Sequence, residues 1–372
     1  MNDFALTLLN WFRENGRDLP WRQVSDPYAI WLSEVILQQT QVKQGQDYWQ
    51  RFMQRWPTVA DLAAATEDEV LREWQGLGYY SRARNLRVAA LQIVARGGFP
   101  QTVEGLKRLK GVGDYTAAAI ASFAFGVPAA VVDGNVYRVL ARHYGIATPI
   151  DTAEGKHEFA ALAQAVFPDF SEYSGYSGYS VYPDYSNCPD NSGLSVAAAY
   201  NQAIMDFGAT WCTPQSPRCG QCPLQETCQA LRTNRVGQLP VKQGRMKQRE
   251  QHLIYIYIRC NGYTALHRRP AGGIWQGLYE PLLLEGKDFS PQKAPTLSNG
   301  LSTHDNFILI DKNVKHVLTH RIIYADFYLW EPAIRPTLPS DFLWIAEEDI
   351  DHYAVPRLIE RFLEKIKTIL YT

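Results

Sequence analysis

The sequence predicts a mainly α-helical N-terminal domain followed by a smaller C-terminal α+β domain. Up to about residue 168, apolar residues recur at i, i+3 and i+4, which is the period of amphipathic helices. Beyond residue 250 the pattern changes to β-branched and aromatic runs bounded by turn residues. With 372 residues, 46% of them hydrophobic, the chain has enough apolar surface for two cores.

Helix breakers divide the N-terminal region into short segments. Proline and glycine interrupt the helical period at positions 20, 57, 76–78, 97–98 and 126–128. We therefore expect a bundle of short helices.

A low-complexity insertion interrupts this helical region. Residues 169–195 carry a tyrosine at every third position from Tyr173 to Tyr185, among Ser, Gly and Pro. Such a composition cannot build a core, so we expect a flexible surface insertion. The helical pattern returns in AAAYNQAIMDFGATW, residues 197–211. The first domain is thus expected to span residues 1–230 and to contain the insertion.

A linker and the second domain complete the predicted organisation. Residues 231–250 are basic and are punctuated by Pro and Gly, as expected for a linker. Residues 251–372 contain the strand-like runs HLIYIYIRC, FILI and ADFYLW and close on the helical pattern VPRLIERFLEKIKTIL. These runs predict the smaller α+β domain.

Charge and hydropathy limit the class of protein. The formal net charge is −1, but residues 72–110 and residues 229–249 each carry a net charge of +6. Two basic stretches in a neutral chain indicate an anion-binding face, although solvated helix faces give the same pattern. The chain shows no secretory signal pattern and no run of about 18 apolar residues. We therefore expect a cytoplasmic protein that does not enter a membrane.

Four of the six cysteines lie within one short segment, with the spacing C-x6-C-x2-C-x5-C. They are Cys212, Cys219, Cys222 and Cys228. Disulfides are disfavoured in the cytoplasm, so four close thiols indicate a metal site. A [4Fe–4S] cluster and a zinc ion both accept four cysteines. The spacing favours the cluster, in a structural role, and leaves zinc as the alternative.

Two carboxylates stand out by their sequence context. Glu34 lies on the apolar face of a predicted helix, next to Ile30 and Trp31. Desolvation there raises the pKa of a carboxyl group and keeps a proton available, unless a buried arginine pairs with it. Asp133 precedes GNVYRVLARHYG, a position typical of a helix N-cap, whose hydrogen bonds would keep the carboxylate ionised. One protonated and one ionised carboxylate suit acid-assisted cleavage of a glycosidic bond.

A glycine-rich hairpin is the candidate phosphate contact. Residues 109–117 read LKGVGDYTA, in which Lys110, Gly111 and Gly113 precede a helical run. A Gly-x-Gly turn at a helix start leaves N–H groups uncovered, where a phosphate can approach without meeting a Cβ atom. A plain turn between two helices gives the same pattern, so the hairpin alone does not define a site.

Six ordered motifs resemble those of one known family. They are PWR, WLSEVILQQTQV, GLGYYSRARNL, GVGDYTAAAIASFAFG, VDGNVYRVLAR and the four-cysteine loop. In this combination the chain resembles the endonuclease III-type, helix-hairpin-helix superfamily of DNA glycosylases, and within it the MutY-type adenine DNA glycosylases. The resemblance covers nearly all of residues 1–235 except the insertion. It implies a mainly α-helical helix-hairpin-helix glycosylase domain with a [4Fe–4S] cluster loop.

The C-terminal region resembles the NUDIX-like 8-oxoguanine-recognition domain of the same family. RRPAGGIWQGLYEPL is similar to its glycine-rich start, but the acidic hydrolase box is absent, so nucleotide hydrolysis is not expected. The family's Phe-Ser-His loop has its counterpart in Leu318-Thr319-His320. Because threonine keeps a hydroxyl group, the resemblance implies that Thr319 and His320 contact 8-oxoguanine.

The resemblance also implies a reaction. Family members recognise adenine paired with 8-oxoguanine or guanine, flip the adenine out of the duplex and hydrolyse its N-glycosidic bond. Carried over by motif, Glu34 protonates the adenine and then assists water. Asp133, supported by Asn135, stabilises the sugar cation. Tyr115 stands where the lyase branch has a lysine nucleophile, which implies a monofunctional glycosylase.

Other residues carried over by motif would contact the base, the duplex, the phosphates and the cluster. Trp21, Arg22, Leu37 and Tyr115 would line the adenine pocket, with Gln202 on the flipped base. Gln39 and Tyr79 would enter the duplex. Phosphate contacts would come from Lys110, Gly111, Gly113 and Arg218. The cluster ligands would be Cys212, Cys219, Cys222 and Cys228.

Three other functions fit parts of this pattern. An endonuclease III-like glycosylase/AP lyase and a thymine glycosylase for G·T mismatches share the scaffold. A non-enzymatic iron–sulfur DNA-binding protein would need neither carboxylate. The expected partner is double-stranded DNA with 8-oxoguanine·adenine or guanine·adenine mispairs, bound by a monomer. We expect a base-excision repair enzyme associated with a bacterial nucleoid.

Overall fold

The structure, a computed structural model, describes residues 3–168, 195–244, 248–286 and 306–371. The chain forms two compact units. The first comprises Met1–Ala63 and Val88–Gly244, and the second comprises Ala64–Arg87 and Arg245–Thr372. The predicted insertion lies outside the described residues except for Ser195, which caps the helix that follows it. None of the described helices is long and apolar enough to cross a membrane.

Helices account for the chain up to about residue 232, as the helical period predicts. They are α1 Asp3–Asn15, α2 Pro27–Ile36, α3 Val42–Arg55, α4 Val59–Ala64, α5 Glu67–Glu73, α6 Ser81–Ala95, α7 Val103–Lys107, α8 Asp114–Phe125, α9 Gly134–Tyr144, α10 Ala153–Ala165, α11 Val196–Thr210 and α12 Gln229–Arg232. Short 3-10 helices occur at Pro20–Arg22 and Cys219–Gln221. The helices α7 and α8, with the turn between them, form the helix-hairpin-helix.

Helix α11 runs through the core of the first unit. It contacts α1, α8 and α9, and most of its residues are buried. Buried residues occur on several faces of α11, as expected of a helix that is surrounded by other helices. The neighbouring helix α9 begins at the N-cap Asp133 and ends at Gly145, whose φ of +72° suits a left-handed C-cap. The start of α9 lies against α11, because Gly208 of α11 is in close contact with Asn135 of α9.

The second unit is built on a seven-stranded sheet among the described residues. Its strands are β1 Arg249–Cys260, β2 Tyr263–Arg268, β3 Tyr279–Glu280, β4 Leu282–Glu285, β5 Phe307–Val317, β6 Arg321–Trp330 and β7 Phe342–Ala346. The order is β3-β2-β1-β6-β5, with β4 paired to β1 and β7 to β2. The β1–β6 pair is parallel, and the other pairs are antiparallel. Helix α13, Arg357–Tyr371, packs its apolar face on this sheet.

Residues 64–87 belong with the second unit, which the sequence did not predict. Arg268 on β2 pairs with Glu67 at 3.0 Å and with Asp68 at 2.8 Å. Gln75 donates to Glu360 on α13 at 3.0 Å. The predicted limit of the first domain at residue 230 also differs, because the first unit continues to Gly244 and β1 already begins at Arg249. The helical period of a sequence does not show whether a short helix packs in the first unit or in the second.

Candidate active site and iron–sulfur loop

A cavity of about 670 Å³ opens within the first unit. It collects residues from the segment around Pro20–Arg22, from α2, from the start of α8, from the start of α9 and from α11. Nine predicted site residues line it: Trp21, Arg22, Glu34, Leu37, Gln39, Tyr115, Asp133, Asn135 and Gln202. Residues as far apart in the sequence as Trp21 and Gln202 thus line one cavity.

Glu34 is a buried acid in the last turn of α2. Its exposed fraction is 6%, and its Oε2 accepts a hydrogen bond from the Tyr115 hydroxyl at 2.7 Å. Burial, reinforced by the negative charge of Asp133, raises the pKa of Glu34 from 4.5 to about 7. The hydrogen bond from Tyr115 and the charge of Arg22 oppose this rise without cancelling it. A large fraction of Glu34 is therefore protonated at neutral pH.

Tyr115 lies in the first turn of α8, two residues after Gly113 of the hairpin. Burial and the nearby carboxylates Glu34 and Asp133 raise the pKa of its hydroxyl well above the ordinary value. The phenol consequently stays protonated and acts as a hydrogen-bond donor. The side chain offers no amine at this point of the cavity.

Asp133 is the N-cap of α9, as predicted. Its carboxylate accepts hydrogen bonds from the backbone N–H groups of Asn135 at 2.9 Å and Val136 at 2.8 Å, and from Asn135 Nδ2 at 2.7 Å. The predicted hydrogen bonds are present, but burial raises the pKa of Asp133 above its ordinary value, and the ionised state of this carboxylate stays a prediction. The three donors and the charge of Arg138 act in the opposite direction. Among the described residues Glu34 receives one hydrogen bond, from Tyr115, so Asp133 with its three donors is the carboxylate better suited to carry charge.

Hydrogen bonds connect Asp133 with the cysteine loop. Asn135 Oδ1 accepts from Arg138 Nη2 at 2.9 Å, and Arg138 Nε donates to the carbonyl of Cys212 at 2.7 Å. Gly208 on α11 leaves room for this arrangement, because a Cβ atom there would lie 2.7 Å from Asn135 Cβ. The start of α9 is therefore hydrogen-bonded through Arg138 to the cysteine loop and packed against Gly208 of α11.

Asp206 and Arg17 belong to the site but were not predicted. Asp206 is fully buried, and it binds the guanidinium groups of both Arg17 and Arg22. The sequence does hold a signal for it, since Asp206 lies four residues after Gln202 on a helix and thus on the same face. Met205, three residues after Gln202, lines the cavity as well.

Gln39 and Leu37 lie at the end of α2, where the cavity meets solvent. Gln39 is exposed and has a φ of +57°, an uncommon conformation for a residue that is neither glycine nor asparagine. Leu37 is the C-cap of α2.

Trp21 is buried, and its ring packs edge-on against Trp49 at 5.9 Å. The position of the Trp21 ring is thus fixed by packing against Trp49.

The hairpin residues lie on the surface of the first unit. Lys110, Gly111 and Gly113 are exposed, and Gly111 has a φ of +78°, which favours glycine. Gly113 is the N-cap of α8, and a Cβ atom on it would meet no other atom within 4 Å. Packing within the protein therefore does not require glycine at this position.

The four cysteines of the loop are all half-buried. Burial and the charges of the other three thiols raise the pKa of Cys222 to about 11. Arg142 is 3% exposed, and its Nη1 lies 3.4 Å from Cys212 Sγ. In the described part of the chain, the hydrogen-bond partners of Arg142 are Cys212 Sγ and backbone carbonyl groups. A buried cation beside a cysteine thiol of this loop fits an anionic iron–sulfur cluster.

No group of three or more His, Cys, Asp and Glu side chains in the described ranges is arranged to hold one metal ion. Arg218 lies in the same loop and is exposed, with its guanidinium 5.1 Å from the Trp211 ring centroid.

Tyr79, Thr319 and His320 lie together in the second unit rather than in the cavity of Glu34. They line a cavity of about 500 Å³ with Trp275. The Tyr79 hydroxyl and Thr319 Oγ1 are 2.7 Å apart, and Thr319 occupies the turn between β5 and β6. Tyr79 has a φ of +46°, a strained conformation for an aromatic residue.

The hairpin, the cavity with its buried acid and the cysteine loop together define a helix-hairpin-helix protein of base-excision DNA repair. The model of HhH-GPD superfamily base excision DNA repair proteins matches residues 32–165. Residues 212–228 match the iron–sulfur binding domain of endonuclease III, and residues 254–365 match the NUDIX domain. The predicted fold class and the iron–sulfur cofactor are thereby confirmed.

The chain belongs to the adenine DNA glycosylase family. It is 32% identical over 379 residues to the adenine DNA glycosylase of Buchnera aphidicola subsp. Baizongia pistaciae. This match covers 98% of this chain and 97% of that protein. It is also 42% identical over 254 residues to the adenine DNA glycosylase of Mus musculus, covering 65% of this chain. The chain spans 44% of the length of the mouse relative and 39% of the human one.

Solved structures support the fold of the first unit. The chain is 26% identical in sequence to the solved structure of a thermostable thymine-DNA glycosylase, with a TM-score of 0.51. The match covers 62% of this chain and 95% of that protein. The helical scaffold is therefore shared with a glycosylase described as acting on another base.

Proposed function

We propose that the chain is an adenine-specific DNA N-glycosylase that removes adenine mispaired with 8-oxoguanine or guanine. The observation that carries this proposal is a buried Glu34, with a pKa near 7, that shares a cavity with Asp133. Such a pair can supply a proton to a leaving base and a negative charge to the sugar. Family membership adds the identity of the base.

In the proposed reaction, Glu34 donates its proton to a ring nitrogen of the flipped adenine. The bond between the sugar C1′ and the base nitrogen then breaks, and its electron pair leaves with the base. The sugar becomes an oxocarbenium ion that faces the Asp133 carboxylate. Water adds to C1′ and gives a proton back to Glu34, which leaves free adenine and an abasic site.

The cavity has the dimensions and lining that an extrahelical base requires. Its volume of about 670 Å³ lies within the range of small-molecule sites. Trp21 and Leu37 offer apolar contact, while Gln202 and Arg22 offer polar groups for the base edge. The flipped adenine would exchange stacking in the duplex for these contacts.

We propose a monofunctional enzyme, because Tyr115 provides a phenol where a lyase requires an amine nucleophile. The same duplex reacted in the presence of borohydride tests this point. Little or no covalent protein–DNA adduct is expected, whereas efficient trapping would identify a glycosylase/AP lyase instead.

The decisive measurement is single-turnover release of the base from duplexes containing 8-oxoguanine·A, G·A and G·T. Rapid release from the two adenine mispairs and none from G·T is expected. Release of thymine would favour the thymine glycosylase. The Glu34→Gln variant should bind the duplex and release no adenine. Unchanged behaviour of that variant would indicate a DNA-binding protein without this chemistry.

The remaining contacts are proposed from position and charge. Lys110, Gly111 and Gly113 would bind one phosphate, and exposed Arg218 another. Cys212, Cys219, Cys222 and Cys228 would hold the [4Fe–4S] cluster, which would supply a rigid cross-link for the loop that carries Arg218. Gln39 and Tyr79 would enter the duplex, and Thr319 with His320 would contact 8-oxoguanine. The protein would act as a monomer in the cytoplasm, on nucleoid DNA.

A further inference from the structure

We infer that Asp206 is a positioning residue of this cavity: its carboxylate holds the Arg22 guanidinium at the cavity wall and balances that positive charge beside Glu34. The inference rests on the proposed function, because it concerns the acid of that reaction. It adds a charge-balancing group that does not itself touch the base.

Asp206 has the geometry of a built anchor. Its side chain has no exposed area. Arg22 Nη1 and Nη2 donate to its two oxygens at 2.8 Å each, in a bidentate pair. The backbone N–H of Arg17 and its Nε donate to the same carboxylate at 2.9 Å each. Arg22 Nη1 also donates to the Arg17 carbonyl at 3.0 Å, so both arginines are fixed together.

The anchor reaches the reacting groups through Arg22. Arg22 lines the cavity, whereas Asp206 lies behind it, one helical turn beyond Gln202 on α11. Asp206 thus determines where the guanidinium stands without occupying space that a base would fill.

The charges around Glu34 show why this balance matters. Asp133 faces it from the start of α9, Tyr115 from α8, and Arg22 from the 3-10 helix. Arg22 favours the ionised form of Glu34, and Asp133 favours the protonated form. Asp206 stands behind Arg22 and also binds the partly exposed Arg17, which lines the same cavity. Asp206 therefore reduces the extent to which the arginine charges stabilise the ionised form of Glu34.

A purely structural role for the Arg17–Asp206–Arg22 cluster makes a different prediction. Buried carboxylate–arginine pairs often fix a segment, and losing one partner commonly costs several kcal/mol of stability. Such a loss would lower the amount of folded protein at every pH. It would not move the pH at which the folded enzyme loses activity.

The test is the pH profile of single-turnover adenine release, because protonated Glu34 is the proposed acid. In Asp206→Asn the arginines lose their counter-charge, the pKa of Glu34 falls, and the alkaline limb should move to lower pH. In Arg17→Gln one cation is removed, and the limb should move to higher pH. Shifts of about half a pH unit are expected from charges at this range in a partly buried site.

Two further variants complete the design. Asp206→Glu keeps the charge and should leave the limb where the unaltered enzyme has it. Glu280→Gln is the matched control, since Glu280 is a buried carboxylate that binds Arg269 in the second unit. It should cost stability without moving the limb.

The outcomes separate this inference from the proposed function. Limb shifts in opposite directions for Asp206→Asn and Arg17→Gln support the inference. No shift in either variant, or equal shifts in the same direction, overturns it while adenine release by the unaltered enzyme still supports the proposed function. Arg17 is 30% exposed, so Arg17→Gln should fold even where Asp206→Asn does not, and an unmoved limb in Arg17→Gln would still overturn the inference.

Discussion

At the scale of single residues, desolvation and hydrogen bonding compete at each carboxylate of the candidate site. Glu34 receives one side-chain hydrogen bond, and burial raises its pKa to about 7. Asp133 receives three N–H bonds, and burial still raises its pKa. The carboxylates differ because α9 presents backbone donors at its start and the last turn of α2 does not.

Adenine release is expected to slow as the pH rises above about 7. Glu34 must be protonated to donate, and its pKa of about 7 places the loss of that proton in this range. Single-turnover rates measured from pH 5.5 to 9 would show the decline. A rate that stays constant to pH 9 would contradict the assignment of Glu34 as the acid.

Glu34→Gln is expected to stabilise the protein at alkaline pH while it abolishes excision. Ionising Glu34 is harder in the folded chain than in the unfolded chain, because its pKa rises from 4.5 to about 7. This penalty is absent below about pH 4.5 and complete above about pH 7, where it reaches roughly 3 kcal/mol. Denaturant unfolding at pH 5 and pH 8 measures it. An equal difference between the two proteins at both pH values would refute the argument.

At the scale of elements, helix termini provide the polar groups of the site. The start of α8 follows the Gly-x-Gly hairpin, and the start of α9 is capped by Asp133. The cap at Asp133 and the helix start after the Gly-x-Gly turn both followed from sequence, because helix termini obey local rules. The close approach of α11 to α9 depends on tertiary packing, which local rules do not contain.

Gly113→Ala is expected to weaken DNA binding and leave folding intact. A Cβ atom at this position has open space in the protein, and its φ of −90° suits alanine. The methyl group would instead lie where a phosphate is proposed to approach. A several-fold rise in the dissociation constant for duplex DNA at fixed salt is expected, with an unchanged Tm. Unaltered affinity would argue against a phosphate at the hairpin.

Gly208→Ala is expected to lower both excision and stability. Its Cβ atom would lie 2.7 Å from Asn135 Cβ and 2.9 Å from the Asn135 carbonyl oxygen, so the start of α9 and Asp133 must shift. Overpacking of this kind typically costs about 1–3 kcal/mol. Denaturation and single-turnover rates would measure the two effects. Gly237→Ala is the control, since a Cβ atom there meets nothing within 4 Å.

At the scale of the whole molecule, the sequence predicted the two domains, the helix-hairpin-helix, the cysteine loop and most of the cavity. It did not predict that residues 64–87 join the second unit. That assignment depends on contacts such as Arg268 with Asp68, which lie 200 positions apart. Asp206 was missed for a similar reason, since its arginine partners lie at the opposite end of the helical region. The pKa of Asp133 could not be predicted without the extent of its burial.

Because residues 64–87 pack in the second unit, point substitutions test the function of that unit better than truncation does. Thr319→Ala removes the hydroxyl that lies 2.7 Å from the Tyr79 hydroxyl. We expect the ratio of excision rates on 8-oxoguanine·A and G·A to fall toward one. Thr319→Ser should restore it, and Thr337→Ala, at an exposed position in the same unit, should leave it unchanged. An unaltered ratio in Thr319→Ala would contradict the proposed 8-oxoguanine contact.

Helix α11 has a consequence for the interpretation of sequence variants. It packs through the core, carries Gln202 to the cavity wall and Asp206 to a position behind Arg22, and leads directly into the loop that begins at Cys212. A substitution in this helix will therefore change protein abundance, chemistry and loop geometry together. A genetic screen that scores repair alone would assign such variants to one class. Paired measurement of abundance and repair would separate them.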